Sequence, residues 1–262
     1  MLVTTLSING IAGAQTLHEC VVLYDVNAKT TWQSDADECA TRLSPASTFK
    51  IPHALVALET GVVTPTAVEK WDGTPHPQQP LWDRDHTVLS AMKPSVLWFF
   101  QRIAPRIGAQ RIHEWLRKWE YGNADASGDI TRYWVNGTLR VSPVEQVRFL
   151  QRFYARELHV RDTYARLVEE ALAQKPGTIQ NARGVHTLTA GWPGNAQLNA
   201  KTGATTIANG ESVSWLVGAI EAGRRRYVFA SAVWRERDGV EQLDAARLAL
   251  TAFDRRGVCR CR

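Results

Sequence analysis

Segments with the two-residue alternation of β-strands sit at both ends of this 262-residue chain, and segments with helical spacing fill the middle. Cys20 to Val26 reads as a strand, Asn27-Ala28-Lys29 as a turn, and Thr30 to Gln33 as the returning strand. Towards the other end, Gln197 to Lys201, Ser212 to Glu221 and Arg226 to Trp234 read as strands with tight connections. A terminal helix follows, with Leu243, Ala246, Leu250 and Phe253 on one face. The order that satisfies all of this is α+β. An antiparallel β-sheet is built from both chain ends and flanked by helices, and a helical subdomain is inserted between them. With 44% hydrophobic residues the chain can bury a substantial core, as one large domain or two interleaved lobes.

The helical middle has its own punctuation. Pro45 precedes a helix with Ile51, Ala54, Leu55 and Leu58 on its apolar face, closed by Gly61. Pro52 removes a backbone donor early in that helix and is expected to bend it. A second helix starts near Pro94-Ser95 and ends by Gly108, and Ile112, Trp115, Leu116 and Trp119 form a further apolar stripe. Ser142-Pro143-Val144-Glu145 is a capping box with proline at the first helical position, followed by Val147, Leu150 and Tyr154. Leu167, Val168 and Ala171 mark one more helix.

Within this frame one short stretch carries chemistry. Ser47-Thr48-Phe49-Lys50 puts a hydroxyl and an amine three residues apart where the chain turns helical, on one helix face. A free serine is a poor nucleophile at neutral pH, and a neutral lysine is one of the few bases that fit inside a single turn. Free N–H groups at the helix start favour developing negative charge, so the Ser47 N–H is a candidate oxyanion donor. Ser95-Val96, Tyr121-Gly122-Asn123, Trp134 and Lys201-Thr202-Gly203 follow in order. The N–H of Ala204, on a strand edge, is the natural second donor, and Gly203 permits close approach of a ligand to the backbone. Lys201 is placed to attract a carboxylate or assist proton transfer, Ser95 to relay a proton, and Asn123 to present its amide to a substrate. Each has a plainer reading: Ser47 as a helix cap, Tyr-Gly-Asn as a turn, Lys-Thr-Gly as a strand end, Trp134 as core. Their joint occurrence in this order argues against four independent coincidences.

The combination resembles the class D β-lactamases, the oxacillinase-type enzymes. Phe49-Lys50-Ile51-Pro52, Leu58-Glu59-Thr60-Gly61, Trp71-Asp72-Gly73, Ser127-Gly128-Asp129 and Gln146-Val147-Arg148-Phe149-Leu150 extend the resemblance from about Cys20 to about Phe253. It implies a fold like that of serine β-lactamases and penicillin-binding transpeptidases, with the active site in the cleft between sheet and helical lobe. It implies hydrolysis of β-lactam antibiotics, with Ser47 as the acylated nucleophile. Lys50 would be the carbamylated lysine (N6-carboxylysine), the general base of both half-reactions, formed from carbon dioxide or bicarbonate with no other cofactor. It further implies that Ser95 sits beside that base and that the Trp134 indole N–H bonds the carbamate. Lys201, Thr202 and Gly203 would line the substrate strand, and Arg247 would bind the substrate carboxylate; the plainer reading of Arg247 is a surface salt bridge. One position departs from the family's Ser-x-Val: here Ser95-Val96 is followed by Leu97, so a larger side chain stands where a valine packs on the modified lysine. The Ser-Asp-Asn element of class A enzymes is absent. Burial can lower a lysine pKa by up to roughly 3–5 units, which supplies the neutral amine that attacks carbon dioxide.

The remaining composition bounds the setting. The 31 basic and 26 acidic residues leave a net charge of +5, which mildly favours small anionic substrates. Arg224-Arg225-Arg226, beside Gly223, reads as a solvated hairpin tip, and no nucleic-acid partner is expected. Seven histidines without ligand-like spacing give no expectation of a metal. No apolar run reaches the length of a membrane span. Residues 1–15 are apolar and rich in small residues, and Ala12-Gly13-Ala14 resembles the end of a signal peptide, although a basic n-region is lacking. They read as an export signal or its remnant, leaving 16–262 as a single catalytic domain in the periplasm. Cys20 and Cys39 flank the first hairpin, as a disulfide suited to an oxidising compartment or as two buried thiols. Cys259 and Cys261 are too close together for an easy mutual bridge. The competing functions are a penicillin-binding D,D-peptidase and a non-hydrolytic β-lactam sensor. The sequence sets neither the substrate spectrum nor the oligomeric state.

Overall fold

The computed structural model describes residues 16–190, 192, 196–237 and 239–258. The export-signal reading of residues 1–15, and Cys259 and Cys261, lie outside the described residues. The two chain ends meet in one five-stranded sheet of order β2-β1-β7-β6-β5. Its strands are β1 (His18–Asp25), β2 (Thr30–Gln33), β5 (Gln197–Thr206), β6 (Ser212–Ala222) and β7 (Arg225–Arg235). All pairings are antiparallel, and β1 joins the carboxyl-terminal strands through β7, with Val22 opposite Ala230. The α+β arrangement expected from the sequence is the one observed. An edge left open by the short amino-terminal hairpin is closed by strands about 200 residues further along.

Both sheet faces are covered, so the central strand β6 is buried almost throughout instead of alternating. On one face lies α7 (Asp244–Arg255), whose Ala246, Ala249, Leu250 and Phe253 pack on Leu216, Ile220 and Phe229. On the other lie α1 (Ala36–Ala40), α2 (Lys50–Glu59) and α5 (Pro143–Tyr154), with the larger core that continues into the helical lobe. That lobe adds α3 (Leu97–Ile107), α4 (Ala109–Lys118) and α6 (Asp162–Ala171). The capping box at the head of α5 forms as expected: Ser142 Oγ accepts from the Glu145 N–H at 3.2 Å, and the Ser142 N–H donates to Glu145 at 2.9 Å. Cys20 of β1 and Cys39 of α1 are joined as a disulfide with Cα atoms 5.2 Å apart, which ties the first short helix onto the sheet.

Pro52 is the third residue of α2, so its missing N–H falls in the first turn of that helix. Two expectations change in the structure. The arginine run forms the expected hairpin tip at Arg224 and Arg225, both exposed, but Arg226 does not stay solvated. Arg226 enters β7, pairs with Glu169 of α6 and with Glu221, and lies 4.7 Å over the Tyr154 ring. The strand read as ending at Lys201 continues to Thr206, past Lys-Thr-Gly. A second small sheet, β3 (Thr178–Asn181) with β4 (Gly184–Thr187), went unread in the sequence and stands at the cleft beside β5.

Candidate active site

Ser47 lies on a 3-10 turn, Ala46–Phe49, that leads without a break into α2. The turn is entered through Ala46 at φ 48°, a left-handed conformation that costs an alanine free energy and persists because its surroundings impose it. Those surroundings are a buried hydrogen-bond chain. The Tyr121 hydroxyl meets Gln146 Oε1 at 3.2 Å, Gln146 Nε2 donates to Thr48 Oγ1 at 2.7 Å, and Thr48 Oγ1 donates to Pro45 O at 2.6 Å. From the cleft side β5 presses on the same turn. A Cβ added to Gly203 would stand 3.0 Å from Thr48 Cγ2 and 3.1 Å from Pro45 O, so any larger residue there would have to push this turn back by a few tenths of an ångström.

Lys50, fully buried, is one turn on from Ser47, and its Nζ donates to Ser47 Oγ at 2.9 Å. Burial without a carboxylate lowers its pKa from the ordinary 10.5 to about 7. Its surroundings are aromatic. Nζ lies 5.3 Å over the Phe100 ring, and Phe100 belongs to a cluster of tilted and edge-on rings with His53, Trp134, Phe49 and Tyr133. Trp134 is wholly buried, yet its Nε1–H has no partner among the described residues, and neither has the Tyr133 hydroxyl. Buried donors are nearly always paired in folded proteins. Two unpaired donors in the cage of one lysine are what a carboxyl group on that lysine would satisfy, so the residues present fit N6-carboxylation.

The opposite wall is the open edge of β5. Backbone groups of Leu198 and Ala200 point off the sheet, to Gln174 and Leu172, and by strand alternation those of Thr202 and Ala204 face the same way, into the cleft. Ala204 and Ser47 line the same pocket. Lys201 is buried, and its Nζ donates to Ser95 Oγ and, at 2.8 Å, to Thr202 O. Burial, and then the charge of Lys50, push its pKa well below the usual lysine range. Ser95 itself holds φ 56° ahead of α3, an uncommon conformation that sets its hydroxyl between Lys201 and the cleft. Ser47, Ser95, Thr202, Gly203 and Ala204 line one pocket together with Asn181 and Gln242, which join across it at 3.3 Å. Leu97 opens α3 half-exposed and packs on the larger core, one residue after the buried Val96.

Two residues assigned to the site stand elsewhere. Asn123 is not free to meet a substrate: its Nδ2 donates to Thr138 O at 2.9 Å, and its Oδ1 accepts from the N–H groups of Arg140 and Asp125. It ties down the loop around Gly122, where an added Cβ would lie 2.0 Å from Arg140 O, and the plainer reading of Tyr-Gly-Asn as a turn is the one observed. Arg247 lies in the neighbouring groove with Arg183 and His186, and its guanidinium is held by Glu241 at 2.9 Å and Asp244 at 3.0 Å. That is the salt-bridge reading. The sequence analysis passed over Gln146, His53 and Asn181. A glutamine on the apolar face of a well-capped helix, and a histidine one turn after Lys50 inside a run of apolar residues, were the signals for the first two.

Compared with known proteins, residues 15–249 match the family described as Penicillin binding protein transpeptidase domain. The chain is 34% identical to Beta-lactamase OXA-48 of Klebsiella pneumoniae, over 80% of this chain and 73% of that protein. It is 31% identical to Regulatory protein BlaR1 of Bacillus licheniformis, over 90% of this chain but 36% of that longer protein. A solved class D β-lactamase from Bacillus subtilis superposes with a TM-score of 0.77 at 28% identity, covering 92% of each chain.

Proposed function

The chain belongs to the penicillin-binding transpeptidase family and, within it, to the class D β-lactamases, and from that premise we propose that it hydrolyses β-lactam antibiotics through an acyl-enzyme on Ser47, with N6-carboxylated Lys50 as the general base. The observation that carries this reading is the Lys50 cage: an amine 2.9 Å from the nucleophile, made partly neutral by burial, among buried donors that lack acceptors.

In acylation the Ser47 Oγ bonds the lactam carbonyl carbon, the ring C–N bond breaks, and the serine proton ends on the ring nitrogen. The N–H groups of Ser47 and Ala204 take the developing oxyanion. Ser95, hydrogen-bonded to Lys201, relays the proton towards the leaving nitrogen. In deacylation a water oxygen bonds the acyl carbon, the ester C–O bond breaks, and the proton returns to Ser47. Lys50 becomes carboxylated when its neutral nitrogen bonds the carbon of carbon dioxide, one C=O electron pair moves to oxygen, and an N–H proton leaves. The carboxyl group then supplies a base beside Ser47 for both half-reactions, held by Trp134. Thr202 and Gly203 align the substrate along the β5 edge. The Cys20–Cys39 bridge suits export to an oxidising compartment, the periplasm.

A second reading has its own support in the likeness to BlaR1: the same acylation without turnover, as a β-lactam sensor. Among the described residues no helix is long and apolar enough to cross a membrane. Mixing the protein with a chromogenic cephalosporin decides between them. Many turnovers per chain are expected; a single stoichiometric burst means a sensor or a D,D-peptidase. In Ser47→Ala, turnover and the covalent penicillin adduct seen by intact-protein mass spectrometry are both expected to vanish. An adduct persisting on that variant rules Ser47 out.

A further inference from the structure

We propose that His53 is a positioning residue for the modified lysine: its imidazole supplies a second nitrogen donor, beside the Trp134 indole, to the N6-carboxyl group of Lys50. The inference rests on the carboxylation proposed above and concerns a side chain that the reaction as described does not use.

His53 follows Lys50 by three residues on α2 and so shares its face. It is 1% exposed, and both of its ring nitrogens lack a hydrogen-bond partner among the described residues. Its ring lies 5.4 Å from Phe49, 5.3 Å from Phe100 and 5.1 Å from Trp134, and Phe100 is the ring over which Lys50 Nζ sits. A phenylalanine would fill that slot without burying two polar atoms, so packing alone gives no reason for an imidazole there. Burial, then the charge of Lys50, push the His53 pKa down to about 3, which keeps the ring neutral with one N–H to donate. Three of the side chains with unpaired buried polar atoms, Trp134 through Nε1, Tyr133 through its hydroxyl and His53 through its ring, share the aromatic cluster beside Lys50; the others among the described residues are Trp192, Arg226, Ser231 and Arg235. A carboxyl group, with about four lone-pair sites, can accept from more than one donor.

The test follows the carboxyl group itself. The ¹³C-carbamate NMR signal is titrated with labelled bicarbonate in the intact protein, in His53→Phe and in His53→Asn. His53→Phe is expected to need about tenfold or more bicarbonate for half-occupancy, the loss of one hydrogen bond to a charged group. His53→Asn, which keeps an N–H donor, is expected to recover part of that loss. Titration curves for His53→Phe and the unmutated protein that coincide overturn the proposal and leave Lys50 carboxylation standing. No carbamate signal in the unmutated protein overturns both. Should His53→Phe fail to fold, the ring ¹⁵N shifts of the unmutated protein decide. They are expected to show one neutral tautomer whose N–H resonance moves on bicarbonate addition, and ring shifts indifferent to bicarbonate overturn the proposal.

Discussion

Lys50 and Lys201 are both fully buried lysines at one cleft, and neither has a carboxylate partner among the described residues, yet their surroundings are opposite in kind. Around Lys201 there are acceptors: Ser95 Oγ and the Thr202 carbonyl take its N–H groups. Beside Lys50, which meets Ser47 Oγ and the face of Phe100, the aromatic cluster holds donors without acceptors among the described residues, in Trp134 and Tyr133. An amine is a donor, so the Lys201 side of the cleft is complete as it stands. The Lys50 side is complementary to something that accepts from more donors than the single lone pair of a neutral amine can. This contrast is what supports the proposal that Lys201 works as an amine and Lys50 as its carboxylated product.

Replacing the two lysines in turn gives the largest effects and the clearest break. Lys50→Ala is expected to lower kcat by about 10³–10⁴-fold, the range of a general base acting on a poor nucleophile. Lys201→Ala is expected to cost less, about 10–10²-fold, because it removes a positioned donor and proton relay while the base remains. Steady-state rates with a chromogenic cephalosporin measure both. Equal losses, or a larger loss at Lys201, would reverse the assignment of the base.

Trp134→Phe sharpens the same contrast. It removes an indole donor whose only apparent purpose is an acceptor on Lys50, at the price of a small volume loss. At ambient carbon dioxide the deacylation rate is expected to fall about tenfold or more, the loss of a hydrogen bond to a charged group. Added bicarbonate should restore most of it, whereas it should restore nothing in Lys201→Ala. Failure of bicarbonate to help Trp134→Phe would mean that the indole acts by packing.

Acid should act on the Lys50 side first. A lysine lowered to about 7 is neutral above that pH and an ammonium below it, and only the neutral amine bonds carbon dioxide. Carboxylation and turnover are therefore expected to fall as pH drops through about 7, by about tenfold per unit once well below it. The ¹³C-carbamate signal recorded alongside the rate checks the cause. A rate that falls while the signal stays full would place the titration elsewhere, for example at Lys201.

The contrast between the two lysines also shows how far the sequence could be read. Ser47, Lys50, Lys201 and Gly203 were legible because they lie on regular elements whose periodicity fixes which way they face. The five main strands and the capping box of α5 were legible for the same reason. What escaped depends on contacts between residues far apart in the chain. Gln146 supports Thr48 across 98 positions, and Asn123 is absorbed by the backbone of residues 138 and 140. No local pattern shows whether an amide is already engaged. The β3–β4 hairpin is only four residues per strand, too short for alternation to stand out, yet it brings Asn181 to the cleft. His53 was visible as a polar letter in an apolar run, but its consequence needed the aromatic rings that two other segments bring to it.

The smallest effect is expected at Arg247, in the groove beside the nucleophile's pocket. Its guanidinium is half-exposed and already shared between Glu241 and Asp244, in a groove that meets the nucleophile's pocket only at Asn181 and Gln242. To bind a substrate carboxylate it would have to leave two carboxylates of its own, a trade between similar partners in water that gains little. Arg247→Ala is therefore expected to change KM for penicillins by about threefold or less, with kcat unaffected, since exposed ion pairs contribute about 0–1 kcal/mol. A rise in KM of tenfold or more would show that the substrate draws Arg247 out of its ion pairs. The carboxylate anchor would then lie on α7, and the cleft would extend across Asn181 and Gln242 into the groove beyond.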